Sequence, residues 1–243
     1  MNIAVCFSGH IRTGVKASKN IKHFIGDLFD ECDFFIHSWN YDTHKPVFGS
    51  TETYEESVSE DKINTFLDIY KPKRYIIGTE KLLPMDSMLF SMGNSFKLAY
   101  KYKPYDVIVK LRPDVLFAKS RKLIDEIENY KKDTSILYTD NSHPSKLDDV
   151  FWLLNETNAK ILGEWFINTR NHTPDLLIEF LQKNNIKFDN TYRKHLHYCI
   201  YRRQSEIYDP LDEFRECFIH DAKVHSPQEW INTILSWDVD LFS

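Results

Sequence analysis

Four short stretches of the chain carry residue types that handle anions or protons. In the first, Arg112, Pro113 and Asp114 separate two apolar runs, residues 106–111 (DVIVKL) and 115–117 (VLF). Stability alone does not require a carboxylate between two core segments. Asp114 is suited to ligate a hard divalent cation. Arg112 is suited to grip a phosphate through two parallel N–H donors. The pair could also do no more than neutralise each other at a strand end. The second stretch is Ser8-Gly9-His10-Ile11-Arg12-Thr13-Gly14, a glycine turn running into a helix start. Such a turn exposes backbone N–H groups and Arg12 adds a fixed cation, so Ser8, Gly9 and Arg12 suit a phosphate or a nucleotide. The Gly9-to-Gly14 spacing matches half of a Walker A loop, but Val15 stands at the lysine position and Lys16 comes one residue late. One helical residue is about 100° of rotation, which turns that ammonium away.

The third stretch is His37-Ser38-Trp39-Asn40, directly after an apolar run. His37 and Trp39 suit stacking on a base or sugar, or else an aromatic lid on the core. One histidine without neighbouring ligands is poor grounds for a metal site. The fourth is Asp148-Asp149, in HPSKLDDVFWLL. Ahead of a helix, these acids serve as N-cap and first-turn carboxylate. Alternatively one of them, Asp149 before Asp148, is a general base that takes a proton from an attacking hydroxyl.

The elements that must hold these groups alternate. Residues 2–7, 33–37, 74–77, 106–111, 135–138 and 197–202 read as strands. Residues 20–29, 61–70, 85–103, 121–130 and 150–168 carry helical stripes, and a further helix starts with Thr173 as N-cap, Pro174 at its first position and Asp175 in its first turn. Strands alternating with helices predict an α/β fold, a mainly parallel, Rossmann-like central sheet flanked by helices. In such sheets ligands bind outside the carboxyl ends of the strands, where three of the four stretches fall. With no linker-like or repetitive segment, we expect a single domain over residues 1–243.

Composition narrows the partners. A net charge of −5 offers no positive field for nucleic acid, so an anion must be held by local cations and N–H groups. No apolar run reaches the roughly 18 residues of a membrane helix, and residues 1–7 carry no basic n-region or cleavage site. The four cysteines, Cys6, Cys32, Cys199 and Cys217, form no CxxC pair, which suits buried thiols in a reducing compartment. A cytoplasmic protein is expected.

Residues 95–117, SFKLAYKYKPYDVIVKLRPDVLF, are similar to the GT-A glycosyltransferases, the glycogenin-like members in particular. In that family a lysine-bearing helix and a strand lead to an Asp-x-Asp motif, in a context like LDADVLF. The matching residues are Leu111, Arg112, Pro113, Asp114, Val115, Leu116 and Phe117, and Lys97 lies 114 − 97 = 17 residues before Asp114. Arg112 replaces the first acid. The resemblance implies a nucleotide-sugar donor, a carbohydrate or other hydroxyl acceptor, and Lys97 on the diphosphate with Arg12. It implies residues 1–140 as the nucleotide-sugar part and 141–243 as the acceptor part. Mn²⁺ or Mg²⁺ on Asp114 is one implied option; a metal-free site in which Arg112 replaces the cation is the other. His220 and Lys223 resemble the family's late His and Lys, without its glycine or its Lys-Pro-Trp run. An acid near a helix start favours inversion. The alternatives are a phosphoryl or sulfuryl transferase using the Ser8-to-Gly14 loop, and a non-catalytic sugar-nucleotide binding protein.

Overall fold

The computed structural model describes residues 1–44, 54–117, 121–139, 150–189 and 198–200. In chain order the strands are β1 (Ile3–Ser8), β2 (Asp33–Trp39), β3 (Tyr41–His44), β4 (Tyr54–Ser57), β5 (Arg74–Gly78) and β6 (Val107–Leu111). Then come β7 (Val115–Phe117), β8 (Ile136–Thr139), β9 (Phe151–Leu154), β10 (Lys187–Asp189) and β11 (Tyr198–Ile200). The helices are α1 (Gly14–Ile25), α2 (Glu60–Tyr70), α3 (Pro84–Tyr100), α4 (Leu123–Tyr130), α5 (Glu156–Asn168) and α6 (Pro174–Lys183). None of the described helices is long and apolar enough to cross a membrane.

Seven strands form the central sheet, in the order β10-β8-β9-β6-β1-β2-β5. β1 lies parallel to β2 and to β6, β2 parallel to β5, and β10 parallel to β8; β9 runs against both its neighbours, β6 and β8. This is the expected α/β architecture, with one reversed strand. From β1 the chain builds outward through β2 and β5, then returns to set β6 on the other side of β1. The winding direction therefore reverses between β1 and β6. At such a reversal the strand ends open a crevice.

β1, β2 and β6 are buried along their whole length, as unalternating apolar runs require when both faces are covered. Side chains still alternate between faces. Ile3, Val5 and Phe7 join one core with Phe24 of α1, Phe66 of α2 and Leu123 of α4. Ala4 and Cys6 join the opposite core with Phe96 of α3, Leu162 of α5 and Leu181 of α6. In that second layer α3 and α5 cross at two glycines. A Cβ added to Gly93 would stand 2.8 Å from the Gly163 carbonyl oxygen, so no side chain fits between the helices.

Three sequence expectations change. Residues 150–168 are not one helix: Phe151–Leu154 is the buried strand β9, and α5 starts only after Asn155, whose side chain caps it by accepting from the Asn158 N–H at 2.8 Å. An apolar run of this length fits a buried strand as well as a helix. The late strand joins β7 in an antiparallel ribbon rather than the central sheet. The polar loop after β2 contains the β3–β4 hairpin. Cys6 and Cys32 are buried free thiols, and burial pushes Cys32 up to about 12 and Cys6 higher still. The side chains of Cys199 and Cys217 lie outside the described residues.

Candidate functional site

β1 ends at Ser8, and the chain turns through Gly9 (φ +108°) and Arg12 (φ +37°) before α1 begins. β6 ends at Leu111 and turns through Arg112, Pro113 and Asp114 into β7. Phe7 is paired with Leu111 in the sheet, so the two turns leave it side by side.

There they share one carboxylate. Asp114 is fully buried. Arg112 Nε donates to its Oδ1 at 2.8 Å and Nη2 to its Oδ2 at 2.9 Å, a bidentate grip. Arg12 Nη1 adds a third contact, to Oδ2 at 3.3 Å. The two guanidinium side chains keep 11% and 16% exposure, so the cluster reaches solvent through its cations rather than through its acid.

Surrounding groups fix the first turn. The Arg12 backbone N–H donates to Asp42 Oδ1 at 3.1 Å, and the other Asp42 oxygen accepts from Lys62 Nζ at 3.0 Å. His10 Nδ1 lies 2.7 Å from the Tyr41 carbonyl oxygen, and since a carbonyl only accepts, Nδ1 carries the proton. Burial, then the Arg12 charge, lowers the His10 pKa to about 4. Left-handed backbone at a non-glycine residue costs roughly 1–2 kcal/mol, and here Asp42 holds Arg12 in that conformation.

Ser91 of α3 organises the neighbouring strand ends. Its hydroxyl donates to the His37 carbonyl oxygen at 3.0 Å and accepts from the Gly9 N–H at 2.9 Å. That uses its one proton, so the contact at 3.0 Å with His37 Nδ1 has the imidazole as donor. Burial lowers the His37 pKa to about 4, which keeps the ring neutral.

The structure brings together Ser8, Gly9, Arg12, Arg112 and Asp114. It does not bring Lys97 to them. α3 runs back along the sheet, and Lys97 lies six residues beyond Ser91, about 9 Å farther along the helix axis. It sits near Glu164 of α5, whose carboxyl is held low first by the Tyr100 hydroxyl and also by the Lys97 charge. His37 and Trp39 are corrected as well. Both are 1% exposed, and the Trp39 ring packs on Tyr41 and Phe90, so neither has a face to stack on a ligand. A Cβ on Gly78 would stand 2.8 Å from Trp39, which closes the remaining side. Asp148, Asp149, His220 and Lys223 lie outside the described residues. The helix that was to follow Asp148 and Asp149 begins only at Glu156, with β9 in between.

Asp42, Lys62 and Ser91 were not picked out from the sequence. Asp42 and Lys62 stand in ordinary polar surroundings and carry no spacing signal. Ser91 does carry one: Ser87, Ser91 and Ser95 recur every four residues on an otherwise apolar helix, and all three are buried. Such a row marks a helix face turned into the core, where each hydroxyl needs a partner.

The divalent cation implied by the resemblance was tested against these contacts. It does not fit at Asp114, because both carboxylate oxygens are already engaged by guanidinium N–H groups and the side chain is fully buried. Among the described residues no group of three His, Cys, Asp or Glu side chains could hold a metal ion.

Fold and site together define an α/β protein with two arginines gathered on one buried carboxylate at the reversal of its sheet. No family model matches the chain, and no curated protein matches it. Among solved structures, it is similar to a glycosyltransferase involved in the glycosylation of the major capsid of PBCV-1, at 8% identity and TM-score 0.48, over 89% of this chain and 100% of that one. It is also similar to 4-diphosphocytidyl-2C-methyl-D-erythritol synthase from Anaerococcus prevotii, at 11% identity and TM-score 0.48, over 90% and 97%. Mouse xyloside xylosyltransferase 1 is 10% identical with TM-score 0.41, over 78% and 84%. At such values function is argued from the site itself.

Proposed function

We propose that the protein is a glycosyltransferase that moves a sugar from a nucleoside-diphosphate sugar to a hydroxyl acceptor. One observation carries the reading: guanidinium groups from two different strand ends converge on one buried carboxylate at the reversal point of the sheet. Guanidinium forks match phosphate oxygens, and an α/β sheet binds its nucleotide at that reversal. The N-terminus of α1 lies beside them, and a helix N-terminus favours negative charge.

In the proposed reaction the acceptor oxygen forms a bond to the anomeric carbon as the bond from that carbon to the diphosphate oxygen breaks. Negative charge grows on the departing nucleoside diphosphate, where Arg12 and Arg112 stabilise it. The acceptor proton goes to a carboxylate, for which Asp149, or failing that Asp148, remains the proposal, and attack opposite the leaving group inverts the anomeric centre. Residues 1–140 are assigned to the donor and residues 141–243 to the acceptor.

The test is a thermal-shift panel of UDP, GDP, CDP, ADP and 3′-phosphoadenosine phosphate on wild type and Arg112→Ala. A bound ligand raises the midpoint in proportion to occupancy. We expect a shift with one of the nucleoside diphosphates that Arg112→Ala loses. A response to 3′-phosphoadenosine phosphate alone would overturn the proposal in favour of sulfuryl transfer.

A further inference from the structure

The divalent ion expected from the resemblance and the geometry found at Asp114 are in conflict. Resting on the donor site proposed above, we infer that this site binds the diphosphate without a divalent cation, and that Asp114 positions the two arginines instead of ligating metal.

Among the described residues, three contacts engage Asp114: Nε and Nη2 of Arg112 and Nη1 of Arg12. A metal ion reaching Oδ1 or Oδ2 would compete with these N–H groups and break the bidentate grip or the Arg12 contact. It would also set a dication beside two guanidinium charges, where among the described residues no group of three His, Cys, Asp or Glu side chains could hold it. The bidentate grip orients the planar Arg112 group, and the Arg12 contact ties the β1 turn to the β6 turn. An anion arriving at this end meets two guanidinium groups oriented by one carboxylate. That supplies the charge stabilisation a metal would otherwise provide, by fixed donors. Asp42 and Lys62 hold the backbone of Arg12 in place from the other side.

The experiment measures affinity for UDP, GDP, CDP and ADP by titration calorimetry on the full chain, in excess EDTA and then with Mn²⁺ or Mg²⁺. We expect one nucleotide to bind in EDTA with affinity within about two-fold of that with metal. Binding seen only with metal would overturn the inference and leave the donor-site reading standing. Absence of binding under all conditions would overturn both. The positioning role is read from Asp114→Asn, which keeps the side-chain shape and one acceptor oxygen. Losing charge-assisted contacts of this kind corresponds to roughly ten-fold or more in affinity, still independent of metal, in a protein with an unchanged far-ultraviolet circular dichroism spectrum. Arg112→Lys keeps the charge without the fork and should also bind about ten-fold more weakly. If Asp114→Asn bound the nucleotide as tightly as wild type, Asp114 would have no positioning role.

Discussion

Gly14 and Pro113 touch across the two turns of the site. A Cβ added to Gly14 would stand 3.0 Å from the Pro113 Cβ and 3.1 Å from its carbonyl oxygen, with the Phe66 ring also at 3.0 Å. The first residue of α1 therefore rests directly on the middle residue of Arg112-Pro113-Asp114. Their separation sets how far Arg12 lies from Arg112. Gly14→Ala forces a methyl group into this contact. It should cost about 1–3 kcal/mol of stability, as overpacking does, and weaken nucleoside-diphosphate binding measurably. Chemical denaturation and calorimetry on the same variant check both effects.

Arg12 offers a separation of stability from function. Its φ of +37° is natural to glycine and strained for arginine. Arg12→Gly removes that strain, about 1–2 kcal/mol, but also the 3.3 Å contact with Asp114. The two effects oppose each other. We expect a melting temperature within a few degrees of wild type, with nucleotide affinity reduced about ten-fold or more. A variant that melted far below wild type would show that Arg12 is mainly a structural brace.

Ser91→Ala tests the hub behind the site. It leaves the Gly9 N–H and the His37 imidazole N–H without their hydroxyl acceptor and the His37 carbonyl without its hydroxyl donor. Buried groups left in that state cost about 1–3 kcal/mol each. Ser91→Ala should lower stability by at least about 1 kcal/mol in urea titration. Hydrogen exchange should quicken at Gly9, while amides in α6 keep their protection.

Acid should weaken the fold before its carboxylates protonate. His10 and His37 have folded pKa values near 4 against 6.5 for the free side chain. Between those values the unfolded chain binds protons that the folded chain does not. Stability therefore rises with pH across the window from 4 to 6.5, and is lost as pH falls through it. The slope is at most about 1.4 kcal/mol per pH unit for each histidine. Asp86 behaves similarly at lower pH: burial opposes its ionisation, but the His172 backbone and ring N–H groups hold its pKa below the usual carboxylate value, so its contribution is lost as pH falls below about 4. Thermal melts from pH 7.5 to 4.5 on wild type, His10→Gln and His37→Gln check the histidine part. Each variant should show a shallower slope, and an unchanged slope in both would exclude these two groups.

Much of this fold is written in local patterns. The unalternating apolar runs ending at Ser8-Gly9 and at Arg112 determine buried strands and the turns that follow them. Thr173-Pro174-Asp175 determines a helix start, and the structure has Thr173 accepting from the Leu176 N–H at 3.2 Å. Such signals survive in the sequence because they depend on neighbours a few residues away. The run Phe151–Leu154 lacked them: four apolar residues read the same in a buried strand and in a buried helix, and only pairing with β6 decides between the two. Asp114 was legible as a functional candidate because an acid between core segments needs a reason. What it does there was not. Whether its oxygens face a metal or two arginines depends on residue 12 meeting residues 112 and 114 across the sheet, a contact spanning 102 positions of the chain. The same holds for Lys97 and Trp39. Their types suited a ligand, but the direction of α3 carries Lys97 away from the crevice, and packing of Tyr41, Phe90 and Gly78 buries Trp39. The sequence by itself determined which residues have the chemistry to meet an anion. Only the tertiary structure decided which of them reach it, because side-chain direction and burial are set by elements far apart in the chain.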